Sequence, residues 1–370
     1  EAVALDPSLV DVRFAAHERF AWGAVHSKLL VVDGVHAILA GTNPQPFERL
    51  GHSWRDVGVV VHGEIGAAFQ RDFDDTWLRS IEVTSCDTSD LDSERLDCTL
   101  ASTRAIVHVP EVESPDLSFL GASCTPMFAA TRRPHGLGRT GWTFDEVDNP
   151  QDAAWIAAYS SARETISIES PNLNDDRALD EIAAAAERGV NVRVLLSLGF
   201  NASAMRQEVL GMSAGGANVD TVVSLYERLG ERGLCDRVQI RWVSVDGVHP
   251  TWVQEQGATH SKLTTFDGQL VIVGSGNQDN ISWNLAQESN VLIDSAEAAR
   301  AFDEGWFDPG FERGIDVFDW AREVRDGEAS FTSAGAADYF ERGMDLHWLF
   351  DEVYGSPEAW AGRVLAACEE

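Results

Sequence analysis

Residues 26–34 read HSKLLVVDG, and residues 260–268 read HSKLTTFDG. Each stretch sets a lysine two residues after a histidine and an aspartate five residues after the lysine, with a glycine next. Ten residues beyond each aspartate stands an asparagine, Asn43 and Asn277. Lys28 and Lys262 are the only lysines in the sequence; every other basic residue is arginine. A histidine and a lysine at i and i+2 on a strand share one face. The repeat therefore predicts two copies of one structural unit, each offering an imidazole beside an ammonium.

The surrounding sequence supports that division. VDVRFAA, KLLVVDG, VHAILAGTN and DVGVVVHG read as short buried strands bounded by Gly, Asn or Asp, and EIGAAFQRDFDDTWLRS follows with apolar residues at helical spacing. The second motif is preceded by helix PQDAAWIAAYSSAR, strand TISIES, helix DRALDEIAAAAERG and strand VNVRVLLSLG, with Gly189 at a helix C-terminus. The expected fold is α/β: two units related by a pseudo-twofold axis, with the site at their interface and a helical C-terminal appendage. The boundaries read as 1–80 for a partial first unit, 81–149 for a connecting region, 150–310 for the second unit and 311–370 for the appendage. By the logic of the repeat the first unit lacks its opening strands and helix. The chain thus reads as a fragment or processed product, completed by a missing N-terminal segment or chain.

Composition narrows the function. Sixty acidic residues against 28 basic ones give a formal charge of −32. That surface repels nucleic acid and anionic bilayers at long range, which counts against a nuclease. No apolar run is long enough to span a membrane. Cys86 and Cys98 bracket an acidic loop and pair as a disulfide in an exported protein or stand as unrelated thiols; Cys124, Cys235 and Cys368 look scattered. A secreted or periplasmic location is favoured over a cytoplasmic one. The acidic run at 87–97 lacks the glycine and terminal glutamate of a calcium loop, and SAGGANV (213–219) lacks a Gly-Lys-Ser/Thr ending.

Two imidazoles and two ammonium groups facing one pocket suit a phosphodiester. One imidazole attacks phosphorus, the other protonates the leaving oxygen, and the lysines with Asn43 and Asn277 neutralise the equatorial oxygens. No metal or other cofactor is needed. A compact ammonium fits beside an imidazole and a phosphate where a planar guanidinium crowds the site.

HSKLLVVD and HSKLTTFD match the His-x-Lys-x4-Asp motif of the phospholipase D superfamily. GSGN (274–277) matches its Gly-Ser-x-Asn follow-on, and AGTN (40–43) resembles the Gly-Gly-x-Asn version with Ala40 as a departure. SWRDVGVVVHGEIGAAF (53–69) and GSGNQDNISWNLAQESNVLIDS (274–295) resemble the corresponding stretches of cardiolipin synthases and a microbial phospholipase D-like subgroup. The resemblance covers roughly residues 12–80 and 150–310. It implies a phosphohistidine on His26 with His260 as general acid, the reverse assignment remaining open, and phosphate binding by Lys28, Lys262, Asn43 and Asn277. It also implies a carboxylate on the far nitrogen of each histidine: Asp56 for His26 and Glu288 for His260. Asp33 and Asp267 read as structural ties. Ser27, Ser261 and Ser275 are candidate pocket residues, as are Trp252 and Trp283, with core packing the default for the tryptophans.

The implied activity is cleavage of a phospholipid headgroup at a membrane surface, with transfer of the phosphatidyl group to water or an alcohol. Cardiolipin synthesis, nuclease activity and a non-catalytic phosphate- or membrane-binding role are the alternatives. The remaining eight histidines share no repeated context and read as ordinary.

Overall fold

Of the 370 residues, the computed structural model describes 15–16, 25–43, 54–78, 80–87, 97–100, 124–133, 149–199, 217–251, 256–329 and 357–368. In chain order the first half holds β1 (Ala15–Ala16), β2 (Leu29–Val32), β3 (His36–Ala40), β4 (Gly58–His62), α1 (Glu64–Leu78), β5 (Ile81–Asp87) and β6 (Asp97–Leu100). Then come β7 (Met127–Arg132), α2 (Pro150–Ser161), β8 (Thr165–Ser170), α3 (Asp176–Glu187), β9 (Asn191–Leu196), α4 (Asn218–Gly230) and β10 (Val238–Trp242). The second motif opens β11 (Leu263–Phe266), followed by β12 (Leu270–Gly274), α5 (Asn280–Asn284), β13 (Glu288–Asp294), α6 (Ala296–Phe302) and α7 (Asp308–Arg313). β14 (Ile315–Asp316), α8 (Val317–Arg325) and α9 (Pro357–Cys368) follow.

The expected α/β architecture is present. An eight-stranded mixed sheet runs β14-β10-β9-β8-β11-β12-β13-β7, with β8, β9 and β10 parallel and β11 turning antiparallel against β8. The first unit contributes a separate antiparallel sheet, β2-β3-β4, whose connectivity repeats β11-β12-β13. Local sequence explains the elements. Asn149 caps α2 by accepting from Asp152 N–H, with Pro150 at its first turn, and Asp175 caps α3. Gly189 ends α3 with φ +90, the left-handed conformation that glycine adopts without strain.

Both motif hairpins turn on Asp-Gly. Asp33 and Asp267 have φ of +54 and +52, Gly34 and Gly268 +63 and +58, and Val35 and Gln269 N–H close the turns onto Val32 and Phe266. Two consecutive positive φ values match the right-handed twist of a hairpin, and an Asp-Gly pair reaches them at low cost. The two aspartates then differ. Asp267 accepts from the N–H groups of Arg163, Glu164 and Thr165, tying the motif to the loop before β8. Asp33 is exposed and has no such tie among the described residues. Of the two aspartates read as structural ties, Asp267 makes its tie within the described residues.

The units pack sheet to sheet. Ala37, Leu39 and Val61, with Phe69 of α1, meet Val271, Val273 and Val291 of the second unit in one buried cluster. The outer face of the first sheet is more exposed than the corresponding face of the second unit. Val32 and Ile38 are 44% and 40% exposed, while their counterparts Phe266 and Ile272 are 1% and 3% exposed in the main core. Tyr159 of α2 seals that core edge-on against Phe266, 5.3 Å between ring centroids.

The segment read as a connecting region also contributes β7, which pairs antiparallel with β13 as the outer strand of the large sheet. Register sets Cys86 opposite Cys98 in the β5–β6 ladder. Cys235 and Cys368, read as scattered, form a disulfide across 133 residues that pins α9 near the start of β10. Proximity in space, invisible in their spacing, unites them. α9 packs on α8 and α4, with Trp360 against Trp320 and its indole N–H donating to Val219 O at 2.8 Å.

Candidate active site

The motif histidines stand where each unit meets the carboxylate of the other. Just before each motif a parallel bridge joins the units, Val25 to Gln287 and Thr259 to Arg55. His26 N–H donates to Gln287 O at 2.9 Å, and His260 N–H donates to Arg55 O at 2.8 Å. Those bridge residues immediately precede Glu288 and Asp56. The carboxylates are consequently delivered crosswise. His26 Nδ1 lies 2.9 and 3.1 Å from the two oxygens of Glu288, and His260 Nδ1 lies 2.8 Å from Asp56 Oδ2. This corrects the pairing read from sequence, which assigned Asp56 to His26 and Glu288 to His260. A carboxylate in the strand after a motif lies beside its own motif in sequence, but the pseudo-twofold axis carries it to the opposite histidine.

With Nδ1 committed to a carboxylate, the Nε2 lone pair of each ring becomes the working nitrogen. The two dyads differ in depth. The side chain of His260 is 6% exposed and that of His26 is 28% exposed. Burial pushes His260 down to about 4 against the opposing pull of its Asp56 hydrogen bond, and the Lys262 ammonium adds to the depression. Glu288 is fully buried, which by itself raises a carboxyl. The facing His26, Lys28 and the Ser275 hydroxyl outweigh that and hold it below the usual range. Ser275 and Ser282 donate to its two oxygens at 2.6 and 2.7 Å.

The two lysines behave alike. Each ammonium donates to the carbonyl of its own motif histidine, Lys28 to His26 O and Lys262 to His260 O. Burial lowers Lys28 to about 8 and Lys262 to about 7, against the attraction of Asp56, Glu288 and Asp279 in both cases. Lys262 also feels Lys28, so the charges of both motifs converge on one locale. Asn277 is buried; its Nδ2 donates to Asp279 Oδ2 at 3.2 Å, and its buried Oδ1 has no hydrogen-bond partner among the described residues. Asn43 is half-buried just past β3. Gly41 is a forced choice: a Cβ there sits 2.1 Å from Asp56 Oδ1 and 2.9 Å from His260 O.

The serines serve the interface. Ser27 donates to Ser289 Oγ at 2.7 Å and Ser261 to Arg55 O at 3.4 Å. Trp283, a pocket candidate, is instead fully buried core, 4.7 Å from the Trp155 ring and under the Arg177 guanidinium. Its helix α5 turns the indole inward against α2. Trp252 lies outside the described residues. Trp54 is the aromatic that sequence reading missed: its ring stacks on His260 at 5.0 Å. The signal was available in its position two residues before Asp56. Among the described residues no three His, Cys, Asp or Glu side chains gather as a metal site, and no helix is long and apolar enough to cross a membrane.

Residues 155–308 match the family model described as "Cardiolipin synthase, PLD-like domain". Cardiolipin synthase 2 of Staphylococcus epidermidis is 25% identical over 287 residues, covering 76% of this chain and 46% of the relative. Phospholipase D of Streptomyces antibioticus is 24% identical over 333 residues, covering 77% of this chain and 58% of the relative. The chain thus spans about half the length of the curated relatives it matches. Phosphatidylserine synthase of Haemophilus influenzae Rd KW20 shares the fold with a TM-score of 0.51 at 13% identity, over 81% of this chain and 64% of that one.

Proposed function

We propose that this chain, which carries a phospholipase D-like domain and counts cardiolipin synthases and phospholipases D among its relatives, is a phosphatidyl-transferring phosphodiesterase. The observation that carries the reading is the crossed pair of dyads, His26 with Glu288 and His260 with Asp56, flanked by the half-buried Lys28 and the buried Lys262. In this mechanism His26 Nε2 attacks the phosphorus of a phospholipid headgroup ester. The headgroup oxygen leaves with a proton from His260, and a phosphohistidine remains. Water or an alcohol then gives its proton back to His260 as its oxygen displaces the histidine. Burial disfavours the His260 imidazolium, and the negative charge of a bound phosphodiester favours it, so His260 takes its proton from solvent as substrate binds. Lys28, Lys262, Asn43 and Asn277 hold the non-bridging oxygens, and Glu288 and Asp56 fix the ring tautomers.

The matched domain description also supports a second reading, in which the acceptor is the alcohol of another phospholipid, as in cardiolipin synthesis. The −32 charge disfavours a nuclease. The test is headgroup release from phosphatidylcholine and phosphatidylglycerol vesicles, with single-stranded DNA in parallel and mass detection of the covalent adduct. His26→Asn and His260→Asn should each abolish turnover, and full activity should survive EDTA. Loss in EDTA that calcium restores counts against the mechanism. An adduct on His260 rather than His26 reverses the two roles.

A further inference from the structure

We propose that Arg55 is a positioning residue: anchored across the unit interface on the buried Glu169, it holds Asp56 in hydrogen-bond register with His260. The inference rests on the site reading above. Arg55 gives both backbone groups and its side chain to the second unit. Its N–H donates to Ala258 O at 2.8 Å, and its carbonyl accepts from His260 N–H at 2.8 Å. Its Nε and Nη2 reach the two oxygens of Glu169 at 2.9 and 3.2 Å, and Nη2 also donates to Trp306 O. The guanidinium lies 4.4 Å over the Trp306 ring. Glu169 is fully buried at the end of β8 and accepts a third hydrogen bond from Thr259 Oγ1 at 2.6 Å.

A bidentate guanidinium–carboxylate pair fixes distance and orientation together, which a single contact does not. Thr259 and Arg55 are themselves the bridged pair that carries His260 and Asp56 as their next residues. The clamp therefore sets both members of the dyad from behind. Glu169 and Lys262 line the same small pocket. Room for the guanidinium depends on Gly310 of α7, where a Cβ falls 2.5 Å from Nη1. The other dyad has its own, different latch: Gln287 Nε2 and Ser289 Oγ reach Asp72 of α1 at 3.3 and 2.7 Å. Loss of the Arg55 clamp is accordingly expected to disturb His260 and spare His26.

The test uses the full chain carrying Arg55→Lys, Glu169→Gln or Gly310→Ala, with Arg363→Gln, an exposed arginine paired to Glu227, as control. Proton NMR follows the downfield Nδ1–H signals of the two histidines, while kcat and KM are measured on phosphatidylcholine vesicles. Each clamp variant should lose or shift the His260 signal, keep the His26 signal, and drop kcat by roughly 10- to 100-fold with KM nearly unchanged. The control should match the wild type. Gly310→Ala keeps the ion-pair charges and adds only a methyl, so it remains informative where the charge variants fail to fold. An unchanged His260 signal with wild-type kcat in Gly310→Ala and Glu169→Gln overturns the proposal. Equal loss of both histidine signals overturns it too, because it marks a general unfolding role. A wild-type chain inactive on vesicles overturns the functional reading instead, and the NMR comparison still decides the clamp.

Discussion

Two lysines kept in a chain that uses arginine everywhere else gain a physical reason from their burial. Each ammonium bends back onto its own histidine carbonyl, a single-point contact that suits a compact ammonium better than a planar fork of five donors. Lys28→Arg and Lys262→Arg should each cut kcat by at least about 100-fold, the scale of losing one transition-state donor, while circular dichroism stays native. The pH dependence has a definite sign. Lys262 is charged below about 7 and Lys28 below about 8, so kcat/KM should decline as pH rises through that range. Stability should move the other way. Between about 7 and the ordinary lysine value of 10.5 the unfolded chain binds more protons than the folded one, so unfolding free energy rises with pH there. Urea titrations at pH 7 and 9 check this. Gly41→Ala tests how tightly the site is built: a methyl against Asp56 and the His260 carbonyl should lower kcat by roughly 10- to 100-fold and lower the melting temperature as well.

At the level of elements, the repeat explains the site and its asymmetry together. The hairpins β2–β3 and β11–β12 use the same Asp-Gly turn, yet among the described residues only Asp267 reaches three backbone donors. Asp267→Ala should destabilise by about 2 kcal/mol, from lost hydrogen bonds and a strained positive φ, and Asp33→Ala by clearly less. Denaturant midpoints compare the two directly. The motifs, their strands and the following asparagines were legible because strand periodicity and turn chemistry are local. Residues 127–132 were read as part of a connector, although their pairing with β13 makes them sheet. Six residues in a Pro- and Gly-rich stretch carry too little periodic signal to declare a strand.

For the molecule as a whole, charge and symmetry dominate. A formal charge of −32 opposes compaction, and the Debye length falls from about 10 Å at 0.1 M salt to about 3 Å at 1 M. The melting temperature should therefore rise between those concentrations of sodium chloride; a fall would show that self-repulsion is not what limits stability. The sequence by itself determined the duplication, the α/β class and the repeated histidines, lysines and asparagines of the candidate site, because residue type and short-range spacing record them. The two carboxylates were picked out only by the family resemblance. Only the tertiary structure decided which carboxylate serves which histidine, that Trp54 rather than Trp283 lies against an imidazole, and that Cys235 meets Cys368. Those contacts join residues from 133 to 262 positions apart, and the docking of two units about a pseudo-twofold axis assigns Asp56 and Glu288 to the opposite motifs. No spacing along one chain distinguishes a crossed pairing from a direct one.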